Sequence, residues 1–391
     1  MPALPEVNWN YPTPIWFGEG RVKELPAACA ELGMRRPLLV TDEGLAALPM
    51  VQEALDGLIA AQLEAALFSD VQGNPTGSNV EKGLAVFRQG QHDGVVAFGG
   101  GSGLDAGKAI ALMAGQSRSL WDFEDVGDNW RRADASGIAP VIAIPTTAGT
   151  GSEVGRASVI LDETAQRKKI IFHPAMLPGL VISDPGLTLA LPPTITAWTG
   201  VDAFVHALEA FCAPAYHPMA DGIAVEAMRL VKAFLPRAVA DGTDIEARGQ
   251  MLVAASMGAT AFQKGLGSIH AVSHVVGALY NTHHGLTNAI VLPFGVRQNA
   301  PVLEEKLSTL CRVLSLKGEG SEAFVAFLHQ FCSELAIPAS LSELGVDDSR
   351  AEEIGGMALQ DPSAGGNAQV LTAQQYTALF RASVAGDVSF L

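Results

Sequence analysis

Apolar positions follow two regimes along this chain. In the first half, the short runs Pro37–Thr41 (PLLVT), Gly94–Phe98 (GVVAF), Val141–Ile144 (VIAI) and Leu180–Ser183 (LVIS) alternate with segments of helical spacing such as Ala46–Ala60 and Asn79–Gln89. Unbroken apolar runs suit strands covered on both faces, and strand alternating with helix predicts βαβ units on a parallel sheet. From Thr194 onward the chain is rich in Ala and Leu at helical period and the short Val/Ile runs stop, which predicts an all-α second half. Pro185, Pro192 and Pro193 punctuate the change. The expected organisation is an α/β domain over residues 1–187 and a helical domain over residues 188–391.

Composition narrows the function classes. A chain of 391 residues supports two cores, and 48% hydrophobic against 17% charged residues is globular. The net charge of -16, with no block of five or more like charges, argues against nucleic acid, an acidic membrane or a polyanion as partner. Cys29, Cys212, Cys311 and Cys332 stand far apart with no CxxC pair, which excludes a disulfide framework and a thiolate zinc knuckle and points to a reducing cytoplasm. The start MPALPEVNWNYPTPIWFGEG has neither a basic head nor an apolar run, and no stretch is long and apolar enough for a membrane helix. An unsecreted, cytoplasmic, soluble protein is expected.

Two polar turns follow predicted strands. Gly99-Gly100-Gly101-Ser102-Gly103 joins GVVAF to the helical segment LDAGKAIALMAG. Such a turn lets backbone N–H groups approach an anion while the helix dipole favours its charge. It matches neither G-x-G-x-x-G on a first strand nor the Walker pattern, so a plain tight turn stands beside the phosphate-site reading. Pro145-Thr146-Thr147-Ala148-Gly149-Thr150-Gly151-Ser152-Glu153 follows VIAI, and two such turns suit a dinucleotide lying across a sheet. Asp42, just past PLLVT, is placed to accept from an adenosine ribose and to repel a 2′-phosphate, favouring NAD over NADP; an ordinary turn aspartate is the alternative.

The helical half concentrates histidine. Asp202 and His206 in GVDAFVHALEAF are four apart and share a helix face, as a core hydrogen bond or as a ligand pair. His270 and His274 repeat that spacing, and His284 follows, out of nine histidines in the chain. Three imidazoles and a carboxylate supply four N/O ligands to a divalent metal, with Fe2+ or Zn2+ the best fit in the absence of cysteine.

Taken together, GGGSGLDAGK (99–108), PTTAGTGSEV (145–154), GVDAFVHALEAF (200–211) and HAVSHVVGALYNTHHGLTNAIVLP (270–293) resemble the iron-containing, group III alcohol dehydrogenases, in order and spacing over nearly the whole chain. The resemblance implies a Rossmann-like N-terminal domain and a helical C-terminal domain with the site in the cleft between them. It implies metal ligands Asp202, His206, His270 and His284, with His274 handling substrate or proton and His283 incidental. It implies NAD held by Asp42, by Gly99, Gly100, Gly101 and Ser102 with Asp105, and by Thr146, Thr147, Ser152, Val154 and Lys169. A homodimer or larger homo-oligomer acting on a small alcohol or aldehyde is expected.

Two departures stand out. Asn367-Ala368 replaces a common Asn-Pro, which bears on the local turn and on no chemistry. Gly155-Arg156-Ala157 replaces a common Thr-Pro-Phe, so a different substrate pocket is expected; Arg156 either binds a substrate carboxylate, as in an ω-hydroxy acid, or joins a surface ion pair. Related classes are a metal-free maleylacetate reductase-like enzyme, a zinc-using glycerol dehydrogenase-like enzyme and an NAD- and metal-dependent lyase of the dehydroquinate synthase type. The lyase handles a phosphorylated substrate and needs clustered cations, which the sequence lacks.

Overall fold

A computed structural model describes residues 13–391. The described residues divide into two compact units, one comprising residues 13–147 with Gly151–Ala190, the other comprising Leu191–Leu391 with Ala148–Thr150.

The first unit carries strands β1 (Ile15–Phe17), β2 (Pro37–Val40), β3 (Ala66–Phe68), β4 (Gly94–Gly99), β5 (Val141–Pro145), β6 (Ala157–Asp162), β7 (Arg167–Phe172) and β8 (Leu180–Ser183). Its helices are α1 (Leu25–Glu31), α2 (Glu43–Ala46), α3 (Pro49–Ala60), α4 (Gly77–Gln89) and α5 (Gly101–Met113). Six strands form one parallel sheet in the order β1-β8-β5-β4-β2-β3. Every residue of β2, β4, β5 and β8 is buried, as continuous apolar runs require of strands covered on both faces. Leu39, Val96, Phe98, Ile142, Ile144 and Ile182 pack on one side with Leu25, Cys29, Val51 and Leu58 of α1 and α3. On the other side α5 lies close over β4, where a Cβ at Gly107 would stand 2.7 Å from that of Ala97.

The chain runs from β2 outward to β3, then crosses back to place β4 on the other side of β2. The sheet order therefore reverses between β2 and β4, the switch point at whose carboxyl edge open α/β sheets bind ligands.

Several elements differ from the sequence expectation. The helix expected over Ala46–Ala60 is two helices, because Pro49 starts α3 afresh at its first turn. Helix α4 begins at Gly77, two residues earlier than the spacing suggested, because Thr76 and Asn79 form a capping box. The three-residue strands β1 and β3 at the sheet's two edges are too short to show in a periodicity. The antiparallel hairpin β6–β7, with Ala157 paired to Phe172 and Asp162 to Arg167, also went unread.

The second unit is built of α6 (Pro193–Cys212), α7 (Pro218–Ala240), α8 (Ile245–Ala261), α9 (Ser268–Tyr280), α10 (His284–Val313), α11 (Gly320–Glu334), α12 (Ala351–Leu359) and α13 (Ala373–Ala385), linked by turns and short 3-10 segments. From Thr199 to Ala210 every residue of α6 is buried, so this helix is the axis of its unit rather than a surface element. Helices α7, α8 and α10 surround it. Among the described residues no helix is long and apolar enough to cross a membrane.

Candidate functional site

The helical unit gathers the histidines. On α6, Asp202 and His206 lie one turn apart and both are buried. Helix α9 brings His270 and His274, and ends at Asn281, whose left-handed φ of 52° turns the chain toward α10 and His284. Gly285 lets α10 approach α6: a Cβ there would lie 2.6 Å from the Trp198 carbonyl oxygen and 3.2 Å from the Asp202 Cβ.

The outcome is a cluster in which Asp202, His206, His270 and His284 each offer one donor atom, all within 4.8 Å of one another. The Nε2 atoms of His206, His270 and His284 stand 3.9, 3.9 and 3.8 Å from Asp202 Oδ1. These three spacings exceed a hydrogen bond but fall below the about 4.2 Å that two donors at about 2.1 Å from one ion can span, and the 4.8 Å bound on the whole set leaves at most about half an ångström for the donors to draw in. Burial first, then the neighbouring His206, holds the His270 imidazole well below the usual histidine range, which favours the neutral ring that metals bind. Carboxylate and imidazole donors suit Fe2+ or Zn2+. The residues present therefore fit a divalent ion.

His274 is set apart from this group. Its ring stacks on His284 at 5.4 Å between centroids, while Nδ1 lies 3.0 Å from Asp361 Oδ2. Burial pushes the Asp361 carboxyl up, but His274 and the Ser363 N–H outweigh it and hold the group below its ordinary value. His283 is exposed, caps α10 and lies 5.1 Å from the Trp198 ring.

Two carboxylates escaped the sequence reading. Glu209 accepts from the Ile269 N–H at 2.8 Å and lies 2.6 Å from His270 Nδ1, and burial pushes its carboxyl up to about 7. The signal was present: Asp202, His206 and Glu209 follow one another at four and three residues and so face one side of α6. Asp361 had no local signal, because it comes from a 3-10 turn 87 residues beyond His274.

The α/β unit gathers the polar turns at the carboxyl edge of its sheet. Asp42 stands two residues past β2 and caps α2, its Oδ1 accepting from the Leu45 N–H at 3.0 Å. Gly99 closes β4 at φ 146°, a backbone conformation that favours glycine, and a Cβ there would meet Leu45 and Asp42 Oδ2. Gly100 caps α5, and Gly101 and Ser102 open it. A Cβ at Gly100 would stand 3.2 Å from Thr147 Oγ1, so the two turns touch. Asp42, the glycine turn and Thr147 thus stand at the ends of β2, β4 and β5, on and beside the switch point.

The remaining expected cofactor residues are partly engaged with the protein. Thr146 Oγ1 is buried without a hydrogen-bond partner, and Val154 is buried. Asp105 accepts from Ser152 Oγ at 2.5 Å and from the Val159 N–H at 2.8 Å, so its two oxygens tie the second turn and β6 to α5. Lys108, fully buried, donates to the Ser152 and Ala157 carbonyl oxygens. Lys169 pairs with Asp162 at 2.8 Å over the Trp121 ring. The half-buried Arg156 lies 5.5 Å over the Phe172 ring; the Asp125 carboxylate acts on it by charge, without an ion pair within 4.0 Å among the described residues.

Comparison with known proteins decides what these clusters belong to. Residues 12–185 match the sequence model of the iron-containing alcohol dehydrogenases, and residues 196–384 match that of the C-terminal part of the same family. The chain belongs to the iron-containing alcohol dehydrogenase family. It is 38% identical to a 4-hydroxybutyrate dehydrogenase of Cupriavidus necator, over 96% of this chain and 99% of that one. To a 1,3-propanediol dehydrogenase of Klebsiella pneumoniae it is 34% identical, over 96% and 98% of the two chains. The crystal structure of a 1,3-propanediol oxidoreductase superposes with a TM-score of 0.92 at 33% identity, covering 97% of this chain and 100% of that one. As a member of this family the chain is an oxidoreductase whose cofactors are NAD and iron, and its α/β and helical units are those of the family fold.

Proposed function

We propose that this protein oxidises primary alcohols and diols with NAD, and reduces the corresponding aldehydes, using a divalent ion, Fe2+ or alternatively Zn2+, held by Asp202, His206, His270 and His284. The convergence of one buried carboxylate and three imidazoles carries the reading. The ion supplies Lewis-acid polarisation of the substrate oxygen, and NAD supplies the hydride acceptor.

The chain's own residues do the rest. Glu209 accepts from His270 Nδ1 and so fixes the tautomer whose Nε2 lone pair turns toward Asp202. Oxidation of an alcohol also releases a proton. His274, with Nδ1 oriented by Asp361, has Nε2 left to take it, and the carboxylate steadies the imidazolium that forms. Backbone N–H groups of the glycine turn at the α5 N-terminus hold the pyrophosphate, Asp42 receives the ribose hydroxyls, and Thr146, Thr147, Ser152 and Val154 flank the nicotinamide, with Asp105 and Lys108 bracing their turn. Lys169 meets the cofactor from β7.

Two observations favour ω-hydroxy acids among the substrates: Arg156 is half-buried, with Asp125 acting on it by charge but no ion pair closed within 4.0 Å among the described residues, and the Cupriavidus necator relative is a 4-hydroxybutyrate dehydrogenase. Four free, buried cysteines agree with a reducing cytoplasm, and the exposed Ile15 and Phe17 on the edge strand β1 agree with a homodimer or larger homo-oligomer.

The test is NADH formation by Fe2+-reconstituted protein with ethanol, 1,3-propanediol and 4-hydroxybutyrate, against chelator-treated protein. Turnover that needs the ion is expected, and Arg156→Ala raises KM for the hydroxy acid more than for the diol. A metal-loaded, NAD-binding protein that oxidises no alcohol refutes the activity; an equal KM change for both substrates removes Arg156.

A further inference from the structure

Asn288 sits inside the donor cluster without belonging to the expected ligand set. It lies one turn beyond His284 on α10 and is fully buried. Its Nδ2 is 2.7 Å from Asp202 Oδ1, and 3.1 Å from both His270 Nε2 and His284 Nε2. The side-chain Oδ1 is buried with no hydrogen-bond partner.

The chemistry of the cluster fixes which way this amide points. Its neighbours are the Asp202 carboxylate oxygen and the Nε2 atoms of His270 and His284, the atoms that the metal reading needs as lone-pair donors. Turned about, the amide would set a fourth acceptor 2.7 Å from Asp202 Oδ1 with no proton between. An amide has only two N–H bonds for the three acceptors, so the shortest contact, to Asp202, takes precedence. The same Asp202 oxygen faces the three imidazoles. Leaving Oδ1 unsatisfied is unfavourable, and the arrangement persists because a buried carboxylate needs a donor.

Resting on the metal reading above, we propose that Asn288 is a positioning residue of the metal centre. Its Nδ2–H holds Asp202 in the rotamer that aims Oδ1 at His206, His270 and His284, and keeps the four donors gathered before an ion enters. An ion held by Asp202, His206, His270 and His284 would need the ring lone pairs, which leaves Asp202 as the partner the amide would orient. Groups that orient a ligand from outside the coordination sphere typically contribute 10- to 100-fold in metal affinity.

The experiment is Co2+ titration of chelator-stripped, full-length protein, read by the visible absorption of the bound ion and by melting temperature. Asn288→Leu, similar in size but without a donor, is expected to bind Co2+ about 10- to 100-fold more weakly and with a shifted band. Asn288→Asp, the same shape with the donor replaced by an acceptor, is expected to melt earlier than wild type without metal and to gain more on adding Co2+. A folded Leu variant with wild-type affinity and spectrum overturns the proposal. Should that variant not fold, an Asp variant with the wild-type metal-induced shift overturns it equally. Wild-type protein that binds no Co2+ sinks the metal reading itself, whereas wild-type binding matched by the folded Leu variant sinks only the role of Asn288.

Discussion

Replacing Glu209 by Gln removes one charge and changes one oxygen to an NH2 group at a fully engaged position. In the wild type, Oε1 receives the Ile269 N–H at 2.8 Å and Oε2 lies 2.6 Å from His270 Nδ1. A glutamine has a single acceptor oxygen for those two donors. If it serves Ile269, its NH2 meets His270 Nδ1 and forces the other tautomer, whose Nε2–H points where the ion bonds. If it serves His270, the Ile269 N–H faces an NH2 group. Either way a buried donor loses its acceptor, at about 1–3 kcal/mol. The loss of His270 orientation should weaken Fe2+ or Co2+ binding by about 10- to 100-fold.

The pH dependence has a definite sign. Glu209 has a folded-state value of about 7, raised above the ordinary 4.5 by burial. A raised carboxyl favours the folded state fully below its unfolded value, and that contribution is lost as pH rises through about 7. Metal-free wild type should therefore lose up to about 3 kcal/mol across that window, at about 1.4 kcal/mol per unit, while the Gln variant does not. Chemical denaturation at several pH values and a metal titration at neutral pH measure both effects. Unchanged metal affinity together with a pH-independent stability gap between the two proteins would refute the reasoning.

Other expectations follow from distances already given. His270→Ala should lose bound metal and turnover together, by elemental analysis and NADH assay, because it removes a donor and strands Glu209 without its imidazole. His274→Ala and Asp361→Asn should both keep wild-type metal content and share an altered pH–rate profile; unaltered profiles in both would end the proton role of the pair. Gly100→Val should abolish NAD binding in a calorimetric titration while leaving metal content intact, since a Cβ alone already stands 3.2 Å from Thr147 Oγ1. Tyr376→Phe should change stability by less than about 1 kcal/mol or increase it, because the Tyr376 hydroxyl is buried with no partner.

How much of this was legible in the sequence depends on the distance over which each feature is encoded. The central strands β2, β4, β5 and β8 could be read because burial on both faces leaves an uninterrupted apolar run. The edge strands β1 and β3 span three residues each and take their register wholly from β8 and β2. Hairpin β6–β7 was hidden because RKKIIF reads as polar then apolar, not as alternation. The donor set was visible through helical spacing and the family resemblance. Glu209 shared that spacing and was passed over because a glutamate in an amphipathic pattern reads as a solvated position, whereas α6 has no solvated side there. Asn288 and Asp361 acquire meaning only when α10 and the turn before α13 are folded against α6 and α9.

All four proposed metal donors come from three helices, α6, α9 and α10, of the same compact unit. An ion there acts as a rivet: it ties residue 202 to residue 284 and adds its binding free energy to the folding of that half alone, growing with the logarithm of ion concentration over Kd. Starving the protein of metal should therefore soften the helical half selectively. Heating or proteolysis with and without the ion should then show protection gained in the helical half and little change in the α/β half.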